Sequence, residues 1–211
     1  MAQTANILTD GSVLSRLDRA LFRLETALAV LAGLAVLGLM VLAVLQVGGR
    51  NIVGTPLPGY VDWIEQAMPL IALMGVAYTQ RLGGHVRMDI VVGALGGRAL
   101  WLFELLTTLL VLALAIFLIW GSWSHFGRSF DAGAPLFSRD SSMDIGLPIW
   151  PAKLVVPVAL GVVALRLTLQ AWGFGRAFVR NEPRPVAVPL IESAAEIAAA
   201  EAAAIEGDLP R

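Results

Sequence analysis

Four long apolar segments, separated by short polar ones, dominate the pattern of this sequence. A bilayer core of about 30 Å needs about 20 apolar residues in a helix, because unpaired backbone groups cannot face lipid. Each segment reaches or approaches that length, so we predict an all-α membrane protein with four transmembrane helices. The predicted spans are 25–48, 61–80, 99–123 and 149–172.

The second span is the shortest and carries informative polar residues. It is free of charge only from Gln66 to Gln80, so it must include its first turn, with Glu65, to cross a bilayer. Gly75 lies with Ala72 and Thr79 at helical spacing, which predicts a small-residue face suited to close contact with another helix.

The segments outside the four spans are amphipathic or polar. Between Ser12 and Leu28, leucines recur at helical spacing while Arg16, Arg19 and Arg23 share another face, which predicts an N-terminal amphipathic helix on the membrane surface. The alternative is a plain extension of the first span. The predicted organisation is an N-terminal segment 1–24, a transmembrane domain 25–176, and a tail 177–211 made of a linker and an acidic, alanine-rich helix.

Lys and Arg residues are unevenly distributed across this topology, with eleven on the side of both termini and four on the other. The positive-inside rule therefore predicts that both termini are cytoplasmic. The linker 51–60 and the loop 125–148 then face outward, with Arg50 just before the linker and Trp150 at the outer interface.

Composition supports a membrane protein and excludes several classes of function. The chain has 57% hydrophobic and 15% charged residues, whereas a soluble domain has about 25% charged residues. A net charge of −1 gives no reason to expect nucleic-acid binding, and the absence of cysteine excludes disulfides and thiol catalysis. The sequence has no catalytic pair, phosphate loop or metal-binding spacing, so we predict no enzyme activity, metal or cofactor.

The two histidines do not change that prediction. His85 lies at the inner end of the second span and His125 at the outer end of the third. They are therefore expected about a bilayer thickness apart and cannot ligate one haem iron.

Charged residues at the span ends have two interpretations each. Glu65 is either an ion or proton site or, as we favour, a helix-start carboxylate paired with Arg50 or Lys153. The polar cluster at the inner end of the second span either anchors topology or holds helices or a neighbouring subunit together. Its members are Arg81, His85, Arg87 and Asp89.

Two charged residues lie toward the inner ends of the later spans. Glu104, one turn into the third span, is expected to pair with Arg98 or Arg87 or to reach the surface. Arg166 in the fourth span is expected to extend its guanidinium to the cytoplasmic interface. A Glu104–Arg166 bridge between the two helices is a further hypothesis.

Three groups of residues carry a family resemblance over roughly 16–176. The first is Glu65, then Gly75-Val76-Ala77-Tyr78, Arg81 and Gly84-His85-Val86-Arg87-Met88-Asp89. The second, at the start of the fourth span, is Ser141-Ser142, Ile145-Gly146-Leu147-Pro148-Ile149-Trp150, Lys153 and Pro157, and the third is Arg50-Asn51. The chain thereby resembles the small membrane subunit, the DctQ-type permease, of tripartite ATP-independent periplasmic (TRAP) transporters.

The resemblance implies a subunit of the bacterial inner membrane with two protein partners. A large permease would carry the substrate, and an extracytoplasmic binding protein would deliver it. Such systems import organic acids using an ion gradient, and the small subunit would act as a scaffold that braces the large one. The residues agree with this implication. Intramembrane polar groups and an inverted repeat are usual marks of a transport site, and this sequence has few of the former and none of the latter.

Two other functions remain open. A stand-alone small transporter or channel would need polar groups along a path through the membrane, and only Glu104 and Arg166 come close. The other is a membrane-anchored redox or enzyme subunit. In every case membrane lipid is an expected partner of the apolar spans.

Overall fold

The computed structural model describes residues 10–82, 98–180, 186 and 188, and these residues form an all-α structure, as predicted. Five α-helices account for most of them: α1 (Val13–Gly48), α2 (Tyr60–Met74), α3 (Val76–Arg81), α4 (Arg98–Ser129) and α5 (Trp150–Arg180). A π-helix, Gly49–Val53, extends α1, and a 3₁₀ helix, Pro135–Phe137, lies between α4 and α5.

Among the described residues, three helices are long and apolar enough to cross a membrane: α1 with its π-helical extension, α4 and α5. They contain the predicted first and third spans and, apart from Ile149, the fourth. The predicted second span, 61–80, falls on α2 and α3, which are 15 and 6 residues long and meet at Gly75. Placed end to end, α2 and α3 would cover about 33 Å at 1.5 Å per residue.

α1 is one continuous helix of 36 residues, and this corrects the predicted surface helix. A surface helix would need a turn before the first span, but α1 has none between Val13 and Gly48. The reason is internal packing, since Leu14 is buried and Leu21 packs against the core of the bundle. The amphipathic pattern therefore belongs to an extension of the first span, whose exposed side carries Arg16, Arg19 and Arg23.

α5 is the centre of the bundle, because it contacts each of the other four helices. Val162, Val163 and Leu167 of α5 join Ala77 of α3 and Ala115 of α4 in one buried cluster. Small residues on α3 and α4 let these helices approach the larger side chains of α5. Through this packing α5 holds residues of α3 and α4 around its middle turns.

The second half of α1 is an exposed apolar surface. Within α1, which the structure describes throughout, the last buried residue is Ala32. Beyond it large apolar side chains are exposed, among them Leu34, Leu37, Met40, Val44 and Val47. An apolar surface of this extent marks contact with membrane lipid or with another protein.

The loop between α4 and α5 is tied to the start of α2. Asp62 accepts hydrogen bonds from Ser142 Oγ (2.5 Å) and from the backbone N–H groups of Asp144 (3.2 Å) and Ile145 (2.9 Å). Gly59, just before α2, has φ +71°, and a Cβ at this position would collide with the Ile145 side chain. Glycine therefore allows both the left-handed backbone and the close approach of the loop.

Asp140 ties the same loop to the ends of α4 and α5. Its carboxylate accepts a hydrogen bond from Ser129 Oγ (2.5 Å) and pairs with Lys153 Nζ (2.9 Å), which also donates to Ser129 Oγ. The Ser129 hydrogen bond and then Lys153 hold the pKa of Asp140 below its usual value. The chain therefore passes from α4 to α5 through a loop that is held at both of its ends.

Candidate functional site

The inward face of α1 carries two carboxylates seven residues apart. Seven residues is close to two helical turns, so Asp18 and Glu25 lie on the same face as Leu14, Leu21 and Leu28. The side chains of Asp18 and Glu25 are both 0% exposed. Because burying an ionised carboxylate costs several kcal/mol, each of them requires a partner.

Arg166 of α5 is a partner for both carboxylates. Its Nε and Nη2 donate to the two oxygens of Glu25 at 2.6 and 2.7 Å, and its Nη1 donates to Oδ1 of Asp18. The two-pronged contact with Glu25 uses the planar fork of the guanidinium, whose geometry matches a carboxylate.

This arrangement corrects two expectations about Arg166. The side chain is fully buried, so the prediction that it reaches the cytoplasmic interface is wrong. The hypothetical Glu104–Arg166 bridge is also wrong, because the guanidinium is engaged by Asp18 and Glu25 of α1.

Arg81, at the end of α3, joins the third helix to this group. Its Nη2 donates to Oδ2 of Asp18 at 2.9 Å, so Asp18 bridges the two arginines. The guanidinium carbon of Arg81 also lies 3.9 Å from the centre of the Phe22 ring, within cation–π range. Arg81 therefore connects α3 to α1. We call the four residues Asp18, Glu25, Arg81 and Arg166 the charge network.

A pair of glutamines adds a second link between α3 and α5. Gln80 Nε2 donates to Gln170 Oε1 at 2.9 Å, and Gln170 Nε2 donates to the backbone carbonyl of Gln80 at 3.3 Å. Gln170 lies one turn after Arg166 on α5. The polar contacts of α5 with its neighbours therefore extend from Arg166 to Gln170.

The charge network is electrically balanced, with two carboxylates and two guanidiniums. Removing one partner from a buried ion pair leaves an uncompensated charge and typically costs about 3–5 kcal/mol. The network therefore fixes α1, α3 and α5 relative to one another. Within residues 10–82 and 98–180, no group of three or more His, Asp or Glu side chains is arranged to hold a metal ion.

The structure places other predicted site residues away from the network. Arg50 and Glu65 are exposed, and Lys153, a predicted partner of Glu65, pairs with Asp140 instead. Gly75 is partly buried at the junction of α2 and α3, with open space where a Cβ would stand.

Glu104 and Trp150 lie in packed surroundings. Glu104 is 5% exposed on α4, so the expectation that it reaches the surface is wrong, and its pairing with Arg98 or Arg87 stays a prediction. Trp150 donates from Nε1 to the carbonyl of Leu136 (3.0 Å) and packs on the rings of Phe126 and Phe130. The remaining predicted site residues, His85, Arg87 and Asp89, lie outside the described residues.

Asp18 and Glu25 were not predicted as site residues, although the sequence contains a signal for them. Both follow the seven-residue spacing of Leu14, Leu21 and Leu28, which puts two acids on an otherwise apolar face. A charge on the apolar face of a membrane helix indicates either a functional group or one half of a buried pair. Arg166 is a charge of opposite sign on another apolar helix and completes that pattern.

Comparison with known protein families identifies the family to which the chain belongs. Residues 39–176 match the model described as tripartite ATP-independent periplasmic transporters, DctQ component. The matched range contains Arg81 and Arg166 but begins after Asp18 and Glu25. A comparison with curated proteins found no match. Since the family model covers well over half of the chain, the chain belongs to the DctQ family, the small membrane component of TRAP transporters.

Proposed function

We propose that the chain braces the large permease of a TRAP transporter and carries no substrate itself. The observation that carries this proposal is the charge network, which joins α1, α3 and α5 and uses its buried charges within the chain. A transport site needs polar groups that bind the solute or ion, whereas these four groups bind one another. A bundle locked in this way is suited to support a partner that moves.

The proposed topology has four spans, with both termini in the cytoplasm of a bacterial cell and the spans in its inner membrane. α1, α4 and α5 are proposed as three of these spans, because each is long and apolar enough to cross a membrane. α2 and α3 together form the remaining one, the second in chain order, because their combined length of about 33 Å suits a core of about 30 Å. The excess of Lys and Arg on the side of the termini supports this orientation.

The surface proposed to face the large permease combines the exposed half of α1 with the region around Gly75. Ala72 and Thr79 are exposed and Gly75 has open space around it, so a partner helix can approach closely. Lipid would cover the remaining apolar surface. Arg50 and Glu65 are exposed and available to either protein partner.

The binding protein is proposed to reach the outward segments 57–60 and 131–148. Met143 and Leu136 are strongly exposed in the second of these segments. We further propose that the complete system imports organic acids with an ion gradient, and that the binding protein and large permease select the solute. The contribution of this chain would then be mechanical.

Co-elution from the native membrane tests the proposed partnership. A tagged chain extracted in mild detergent is expected to bring down a large multi-span permease. Gly75→Leu should weaken co-elution because its side chain would fill the space left for a partner helix. Gly127→Leu is the matched control, since it also lies in open space but on α4. A chain that elutes alone from wild-type membranes would contradict the proposal.

A stand-alone transporter or channel is the second candidate, and the charge network is also the observation that favours it. Buried charges within membrane helices often mark ion or proton pathways. The two candidates differ in what happens when a balanced pair of these charges is removed together. A brace keeps its function, whereas a pathway loses it.

A further inference from the structure

A groove lies between α4 and α5 at the end of the helices nearest the loop that joins them. Its volume is about 410 Å³, within the size range of sites for small molecules. The walls are Phe117, Leu118 and Gly121 of α4 and Val156 and Leu160 of α5. No member of the charge network lines this groove.

The groove is charged at one end and apolar along the rest of its length. His125 and Lys153 lie at the loop end, because α4 finishes there and α5 begins there. Ser122 also lines the groove, but its hydroxyl donates to the backbone carbonyls of Leu118 (2.7 Å) and Ile119 (3.1 Å). A ligand that fits this pattern has an apolar body and one polar end.

The charged end is suited to an anion. Lys153 has three N–H donors, and its contacts with Asp140 and Ser129 use two of them and hold the ammonium group in place. Arg128, one turn beyond His125 on α4, is exposed at the same end. Lys153 and Arg128 therefore give this end more positive charge than the facing Asp140 carboxylate cancels.

The depth of the charged end matches that of lipid headgroups. α4 and α5 are long and apolar enough to cross a membrane. Trp123 is exposed half a turn before His125, and Trp150 lies at the start of α5. Tryptophan at both helix ends is typical of the interface between hydrocarbon and water.

We propose that this groove binds a membrane phospholipid, with an acyl chain against the apolar walls and the phosphate at Lys153 and His125. The walls run from His125 to Phe117 on α4, about 12 Å of helix. A phospholipid supplies both the apolar body and the anionic end that the groove requires. The proposal goes beyond the bracing function and does not depend on the large permease.

Native mass spectrometry with added phosphatidylglycerol tests the proposal on the full chain, purified with its permease where the two co-elute. One lipid is expected to remain bound to the wild-type chain. Gly121→Leu should lose this lipid, because its side chain would fill the groove while leaving Lys153 and the loop intact. Gly127→Leu is the matched control, since it is a glycine of α4 in open space that does not line the groove.

The charged end is tested with Lys153→Gln. Loss of one charge-assisted hydrogen bond should lower the affinity for phosphatidylglycerol by about tenfold. Equal lipid retention by Gly121→Leu and the wild type would overturn the proposal. Binding of glycerol 3-phosphate as tight as that of the lipid would also overturn it, because the acyl chain would then contribute nothing. These outcomes leave the bracing proposal untouched, since they do not measure permease binding or uptake.

Discussion

Arg166 faces two carboxylates of α1 at 0% exposure, so its guanidinium balances charges that have no access to water. Without it, Asp18 and Glu25 would have Arg81 as the remaining counter-charge within the network. Arg166→Met is therefore expected to lower the free energy of unfolding by about 3–5 kcal/mol. Denaturant titration in detergent micelles measures this loss.

Two further variants show whether charge balance is the cause. Arg128→Met removes an exposed arginine, and exposed substitutions usually change stability by about 0.5 kcal/mol or less. The double variant Glu25→Leu with Arg166→Met removes one negative and one positive charge together and leaves Asp18 paired with Arg81. It should recover most of the lost stability, and a double variant as unstable as Arg166→Met would contradict the role of charge balance.

The residues of the network show where prediction from sequence stopped. The polar positions Arg81 and Arg166 were identified from the sequence, but their partners were not. Glu25 and Arg166 are 141 residues apart, and no local pattern states which helices pack together. The register between two helices decides the pairing, and that register depends on the packing of the whole bundle.

At the level of elements, the loop between α4 and α5 should respond to acid. Protein contacts hold the pKa of Asp140 and of Asp131 below the usual 3.8; Ser129 is the main cause for Asp140 and the Gly133 N–H for Asp131. A lowered pKa means that the contacts stabilise the loop above pH 3.8 and are lost as pH falls through the lowered value. The loop is therefore expected to keep these contacts at neutral pH and to become more mobile only in strong acid.

A nitroxide at Ala132→Cys measures this change, since the chain has no other cysteine. Its electron paramagnetic resonance spectrum should stay constant from neutral pH to about pH 4 and sharpen below it. Asp140→Asn should give greater mobility than the wild type at neutral pH, because the pair with Lys153 is broken. Loosening of the wild-type loop already near pH 6 would contradict the assignment.

The continuity of α1 is a second property of an element that can be measured. Nitroxides at Arg16→Cys and Val41→Cys lie on nearly the same face of α1, both at exposed positions. A continuous helix places them about 38 Å apart at 1.5 Å per residue. Double electron–electron resonance should show one distance near that value. A much shorter distance would restore the surface helix that turns before the first span.

The sequence predicted the helices by length and apolar character and did less well at their junctions. A face of leucines opposite a face of arginines is produced equally by a surface helix and by a helix that packs on a neighbour. Residues 13–28 could therefore not be assigned until the packing of Leu14 and Leu21 was known. The break at Gly75 was not predicted either, because a glycine within an apolar run is compatible with an unbroken helix.

At the scale of the whole molecule, the charge network and the exposed apolar surface of α1 are separated. The network lies where α1, α3 and α5 meet, while the second half of α1 presents apolar side chains to its surroundings. The interior is thus made rigid by ion pairs, and the exterior is available to lipid and to a large partner. This division of roles is what a supporting subunit requires.

Uptake of labelled organic acids into proteoliposomes tests the bracing function most directly. The large permease, the binding protein and this chain would be reconstituted together, and this chain would also be reconstituted alone. We predict uptake by the complete system, no uptake by the chain alone, and full uptake when the chain carries Glu25→Leu with Arg166→Met. Uptake by the chain alone would contradict the bracing function. Loss of uptake with a folded double variant would show that the charge network belongs to a transport path and would also contradict it.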